Sequence, residues 1–225
     1  MEICYTLNVL LNEYPRGLLA KKFSEYTTKD ARLARVAEST REAFNKSGLT
    51  AHNWEHSYRD ALNAIVIGEA EGADMNIVLP AALMHDIGFL YGGTGKTHGA
   101  VGADKLPEFL AQYDIKYPEK DLLHIAACIR THKGSMQNES PETLEAKVVC
   151  DADFLEKFGI FGVYSGIRTH TEFNNDIECI IDRKTKGMEK LYLETKTGKE
   201  IAEQGRQFVV DFFQALDKAN EPYRT

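Results

Sequence analysis

Apolar residues recur at three- and four-residue spacing along most of the chain, and strand-like alternation is nearly absent. That periodicity belongs to amphipathic helices. From Thr28, a capping residue type, Ala31, Leu33, Ala34, Val36, Ala37, Ala43 and Phe44 mark the stripe of a first helix, which Gly48 ends. Tyr58, Ala61, Leu62, Ile65, Val66 and Ala70 mark a second over about 53–72, and Asp74 caps a third over 75–87. Further helices are predicted at about 97–112, 118–132 and 141–157, with Pro118 and Pro141 where helix starts tolerate proline. Residues 160–168 read as a glycine-punctuated turn or short helix, and 171–184 as another helix. A last helix is predicted over 197–219, with Ile201, Ala202, Phe208, Val209, Phe212, Phe213 and Leu216 facing inward.

Residues 1–28 carry the weakest pattern. The stretch 4–11 suits a strand or a short helix, and Pro15-Arg16-Gly17 breaks it. It is expected to be an extension packing on a main domain over 29–225. No repeat, low-complexity segment or linker interrupts the remainder, so the expected class is all-α, a single-domain helical bundle.

The length, 225 residues, allows one large domain with a substantial core, and 43% hydrophobic and 27% charged residues are ordinary for a globular chain. The net charge of -7 argues against a nucleic-acid polymer or a membrane surface as partner, since both call for a basic face. A small anionic substrate stays open, because a bound cation supplies local positive charge. Cys4, Cys128, Cys150 and Cys179 are scattered, which reads as a reducing compartment. No apolar run nears the roughly 20 residues of a membrane span, and residues 1–15 lack the basic start of a secretory signal. The expected location is the cytoplasm.

The chemistry centres on Ala81-Ala82-Leu83-Met84-His85-Asp86-Ile87-Gly88, an apolar run ending in an imidazole beside a carboxylate. That pair suits a divalent cation, although the dipeptide alone equally fits a helix end with Asp facing water. The order of the wider set is more informative: His56, then His85-Asp86, then Asp151-Ala152-Asp153. This resembles the HD-domain superfamily of metal-dependent phosphohydrolases, whose signature is H…HD…D on an all-α fold. Ala51-His52-Asn53-Trp54-Glu55-His56-Ser57-Tyr58-Arg59 is similar to its H-x-W-x-H-x-x-R segment, and residues 81–88 to its A-A-L-L-H-D-I-G. Ile129-Arg130-Thr131-His132 resembles I-x-x-H, and Asp151-Ala152-Asp153-Phe154-Leu155 resembles D-A-D-x-L. Residues 195–203 resemble the T-x-x-G-x-x-x-A-E segment of one bacterial subgroup.

The resemblance implies His56, His85, Asp86 and Asp151 as metal ligands. Asp153, two residues on, faces another side of a helix and is read as an outer or capping residue. Two imidazoles and two carboxylates suit Mn, Zn, Fe, Ni or Co. One ion is expected, with a second as the alternative, since two-metal HD proteins draw further histidines from the interval holding His98 and His132. Asp86 and His132 are the expected catalytic residues, and Arg59, Lys96, His98 and Lys133 the expected substrate contacts. Lys96 lies in a glycine-rich loop, 88–99, with the composition of a lid, and Arg168 is a further candidate. His52 is read as orienting the site without binding metal, and His124 and His170 as structural or exposed.

The implied activity is hydrolysis of a phosphomonoester, phosphodiester or pyrophosphate bond in a small phosphorylated substrate, a nucleotide foremost. Phe89 stands where the cyclic-dinucleotide branch carries Lys, so that substrate is not expected. Three alternatives stand beside it: a non-catalytic metal- or nucleotide-binding regulatory module, a di-iron oxygenase of the HD type, and a zinc peptidase. The last rests on His52-Asn53-Trp54-Glu55-His56, which fits H-x-x-E-H with Glu55 as base. Homo-oligomerisation is left open.

Overall fold

The computed structural model describes residues 17–134 and 140–224. Its helices are α1 (Leu18–Lys29), α2 (Ala31–Ser47), α3 (Trp54–Glu71), α4 (Met75–Met84), α5 (His98–Gln112), α6 (Glu119–Thr131), α7 (Leu144–Leu155), α8 (Gly159–Glu172), α9 (Ile177–Thr185) and α10 (Lys196–Asn220). Short 3-10 turns cover Ile87–Tyr91, Lys186–Lys190 and Glu221–Tyr223. No strand occurs among the described residues, and the fold is an all-α single domain. No helix is long and apolar enough to cross a membrane, among the described residues.

α4 is the axis. Every residue from Ile77 to Met84 is buried, so the helix is wrapped on all sides, by α2, α3, α6 and α7. α7 is nearly as enclosed, from Ala146 to Leu155. α8, α9 and α10 form a second group, joined to the first where α10 packs on α7 and α3.

Local chemistry sets the boundaries. Asp30, not Thr28, caps α2, accepting from the Arg32 amide at 2.8 Å, because Thr28 lies inside α1. α1 itself falls in the stretch expected to be an extension, and Phe23 is buried edge-on to Tyr58 of α3, ring centroids 5.2 Å apart. The expected strand or helix over 4–11 lies outside the described residues. α4 stops at Met84, short of the expected 87, and the chain tightens through His85 and Asp86 into the turn Ile87–Tyr91.

Of the two readings of 160–168, the helix holds, but it is longer than expected: the stretch is the body of α8. Gly159, Gly162 and Gly166 are all buried, and the last two are contact surfaces on α8. A Cβ at Gly162 would collide with the Lys157 carbonyl and sit 2.7 Å from Val209 Cγ2 of α10. The helix expected over 171–184 is likewise interrupted. Asn174 takes a left-handed φ of 53°, and Asp176 caps a new helix at Ile177.

Candidate metal centre

The ends of five elements meet at one buried point. Asn53 caps α3 by accepting from the His56 amide, which puts His56 and, one turn on, Asp60 on the inner face. His85 and Asp86 follow α4, His98 opens α5, His132 follows α6, and Asp153 lies in the last turn of α7. All seven are buried.

His56 Nε2 lies 3.2 Å from His85 Nε2, and Asp86 Oδ2 lies 3.3 Å from the first and 3.2 Å from the second. Asp153 Oδ1 is 3.7 Å from His56 Nε2, and Asp60 Oδ2 is 3.5 Å from His85 Nε2. On the other side of Asp86, its Oδ1 is 3.2 Å from His98 Nε2 and 3.6 Å from His132 Nε2, and those two nitrogens are 3.0 Å apart.

Nearly everything in this cluster accepts hydrogen bonds. His85 Nδ1 donates to the Ala82 carbonyl at 2.8 Å, His98 Nδ1 to the Thr94 carbonyl at 2.8 Å, and His132 Nδ1 to the Ile129 carbonyl at 2.6 Å. His56 Nδ1 donates to Glu156 Oε2 at 2.8 Å. With the proton fixed on Nδ1, each neutral ring turns the lone pair of Nε2 inward, the arrangement of metal-binding histidines. Asp86 Oδ2 and both oxygens of Asp60 are buried with no hydrogen-bond partner among the described residues. Unpaired buried carboxylates are costly, and a cation resolves them. The spacing agrees: atoms around an ion at about 2.0–2.2 Å stand roughly 3–3.5 Å apart. The residues present therefore fit a divalent cation. Two sets of ligand atoms lie within 4.8 Å of one another: His56, Asp60, His85 and Asp153, and His85, Asp86 and His132.

The electrostatics point the same way. Burial alone would lower the His56 imidazole, but Asp60 and Glu156 outweigh it and hold it well above its usual value. Burial would raise Asp86, but His85, His132 and His56 hold it well below the carboxylate range. Asp60 is pushed up to about 8 by burial and by Glu156 and Asp153, which outweigh the opposing pull of His56 and His85. His132 is pushed down to about 3 by burial and by His98 and His85, and so stays neutral. In the absence of an ion, protons are drawn to the place where an ion would bind.

Of the four expected ligands, three converge and Asp151 does not. Its Oδ1 accepts from the Glu194 amide at 2.8 Å, and its Oδ2 from the Thr195 amide at 2.7 Å and the Thr195 hydroxyl at 2.6 Å. The correction is geometric. Two residues apart on a helix, Asp151 and Asp153 point to different sides, and the sides are the reverse of those expected. Asp151 anchors the start of α10, whose Thr195 caps the helix by accepting from the Gly198 amide.

A cavity of about 590 Å³ opens over the cluster, reaching His56, His98 and Asp153. Arg59, Lys96 and Lys133 line it, and the Arg59 guanidinium is paired with Glu156. His52 also lines it. Its Nδ1 pairs with Glu172, whose carboxylate accepts from the Thr50 and Ala51 amides at 2.6 and 2.7 Å. The His52 ring centroid lies 4.4 Å from that of Phe89 and 5.3 Å from that of Phe173. Glu55 points to solvent, 63% exposed and 3.4 Å from Arg168, so it is not positioned as the base of a peptidase. His124 bonds Thr143 at the surface. His170 is buried and faces the cavity.

Asp60, Glu156, Lys157 and Lys184 were not among the residues expected at the site. Asp60 lies four residues after His56 and Glu156 three after Asp153, spacings that share a helix face. Those spacings were the available signal. Lys184 left none.

Residues 53–157 match the family model described as HD domain. An uncharacterized protein of Bacillus subtilis, YpgQ, is 27% identical over 177 residues, covering 75% of this chain and 84% of its own. The crystal structure of YpgQ in complex with ADP superposes with a TM-score of 0.59 at 22% identity, over 84% of this chain and 95% of that one. A predicted HD superfamily hydrolase from an uncultured Thermotogales bacterium gives a TM-score of 0.57 at 24% identity, over 82% and 90% of the two chains. A protein from Lactobacillus plantarum gives 0.70 at 20% identity, over 87% and 99%. All seven clustered histidines and aspartates lie within residues 53–157, four on its helices and three in the turns that follow them, and it is this segment that matches the HD-domain model.

Proposed function

We propose that this protein is a metal-dependent phosphohydrolase acting on a small phosphorylated compound, in particular a nucleotide. His56, His85, Asp86 and Asp153 would hold the cation, with Asp60 behind them. When bound, the ion would polarise a phosphoryl oxygen and lower the pKa of a water. Asp86 and His132 would be the groups placed to take up a proton beside it. His98 and Lys133 flank the cluster on the cavity side, and Lys96 lies on the loop above. Glu156 orients His56 and neutralises Arg59.

The observation that carries this reading is the convergence of acceptor groups beneath a cavity otherwise rich in cations. Arg59, Lys133, Lys157, Arg168, Arg183 and Lys184 all line it, in a chain whose net charge is -7. Such a concave positive field draws anions in. The aromatic wall of His52, Phe89 and Phe173 offers a stacking surface for a base, and the ADP complex of YpgQ supports a nucleotide. The test is a panel of nucleotides and simple phosphate esters offered to protein loaded with Mn, Co or Ni. Turnover abolished by Asp86→Ala supports the reading; no turnover of any phosphorylated compound by the loaded protein overturns it.

The second set of ligand atoms, His85, Asp86 and His132, favours one other reading, a two-ion site. Two irons per chain in elemental analysis would direct attention to oxygenase chemistry instead.

A further inference from the structure

Asp153 divides its carboxylate between two surroundings. Oδ1 faces His56, whereas Oδ2 faces Lys157 at 2.8 Å and Lys133 at 3.7 Å. Lys133 follows α6, Lys157 follows α7, and Lys184 comes from the last turn of α9, so three separate elements send an ammonium group into one corner of the cavity. Asp153 is the carboxylate that Lys133 and Lys157 share. Glu156, the other acid lining the cavity, is taken by Arg59 and His56.

Lys184 is the odd member. No carboxylate of the described residues lies within ion-pair distance of it. A lysine at a helix C-terminus ordinarily extends into water. This one is held in: its stem crosses Gly166 of α8, where a Cβ would stand 2.5 Å from Lys184 Cε. Burial and the neighbouring Lys157 and Lys133 push its ammonium down to about 7. Two lysines already on one carboxylate that also faces the histidines, with a third amine beside them that has no carboxylate of its own, make a place where an anion would restore the charge balance and hold the Lys184 ammonium protonated.

We infer that Lys133, Lys157 and Lys184 form a recess that holds a phosphoryl group of the substrate beside the histidine cluster, with Lys184 as the contact that is free to serve it. This rests on the cavity being the substrate site. Because Lys184 and Gly166 lie outside residues 53–157, the C-terminal helices, and not the HD segment alone, select the anion.

Two variants test it on the full-length, metal-loaded protein. Lys184→Gln removes the charge. Gly166→Ala keeps every charge but displaces the lysine stem, and alanine favours the helix. The probe is inorganic phosphate, followed by titration calorimetry, with metal content and thermal stability measured alongside. The expected result is a loss of about tenfold or more in phosphate affinity for both variants, with metal content unchanged and folding intact; Lys184→Arg stays within about threefold of wild type. Unchanged phosphate affinity in a folded, metal-loaded Lys184→Gln protein overturns the recess. If no phosphorylated compound is turned over but phosphate binding still depends on Lys184, the recess stands and the hydrolase reading falls.

Discussion

Glu156 donates no proton to His56 but accepts one: its Oε2 lies 2.8 Å from His56 Nδ1, and its other oxygen pairs with Arg59. The contact leaves the ring's remaining nitrogen, Nε2, as an acceptor 3.2 Å from that of His85. A carboxylate behind a histidine fixes its tautomer and raises its basicity as a ligand. Glu156→Gln is therefore expected to weaken metal binding by roughly 10- to 100-fold although Glu156 itself touches no ion. Competition of the loaded protein against a chelator measures it. Unchanged affinity would mean that His56 is not oriented by this contact.

The tie between His52 and Glu172 predicts a pH dependence of stability. Burial would raise Glu172, but His52 and the amides of Ala51 and Thr50 hold it down to about 2. A carboxyl whose folded value is depressed binds fewer protons folded than unfolded, so its contribution is complete above about 4.5 and disappears as pH falls towards 2. The stability gap between wild type and Glu172→Gln, from denaturant unfolding, is expected to be constant from pH 7 to 5 and to shrink below 4.5. A gap independent of pH down to 3 would contradict the assignment.

His52→Ala and Glu55→Gln should both retain the metal, since neither residue belongs to the converging sets. Elemental analysis of the two variants decides it, and metal loss in His52→Ala as complete as in His56→Ala would revive the peptidase reading.

Gly162→Ala is expected to destabilise by about 1–3 kcal/mol, because the added methyl meets Lys157 backbone and Val209. A thermal melt is sufficient. A neutral effect would mean that α8 and α10 can separate without cost.

How much of this was legible in the sequence follows from what each residue needs as a partner. His56, His85 and Asp86 could be read because the apolar run of α4 and the capped start of α3 fix them locally. The choice between Asp151 and Asp153 could not. Both lie on one buried helix, and the deciding partner of Asp151 is Thr195, 44 residues away. The glycines of α8 read as punctuation because glycine breaks isolated helices, whereas here Gly162 and Gly166 admit a neighbouring backbone and the stem of Lys184. Lys184 itself, in a run of basic residues at a helix end, looks like any solvated lysine until α8 is packed beside it.

Asp151→Asn should keep the metal while losing roughly 1–3 kcal/mol of stability, since it anchors α10 through three hydrogen bonds. Asp153→Asn should do the reverse. Metal content per chain, measured by elemental analysis on wild type and these two variants purified without chelator, is the sharpest discriminator. A divalent ion present in wild type and Asp151→Asn and lost from Asp153→Asn is the predicted outcome. A folded Asp151→Asn protein without metal, beside an Asp153→Asn protein that keeps it, would contradict the centre described above.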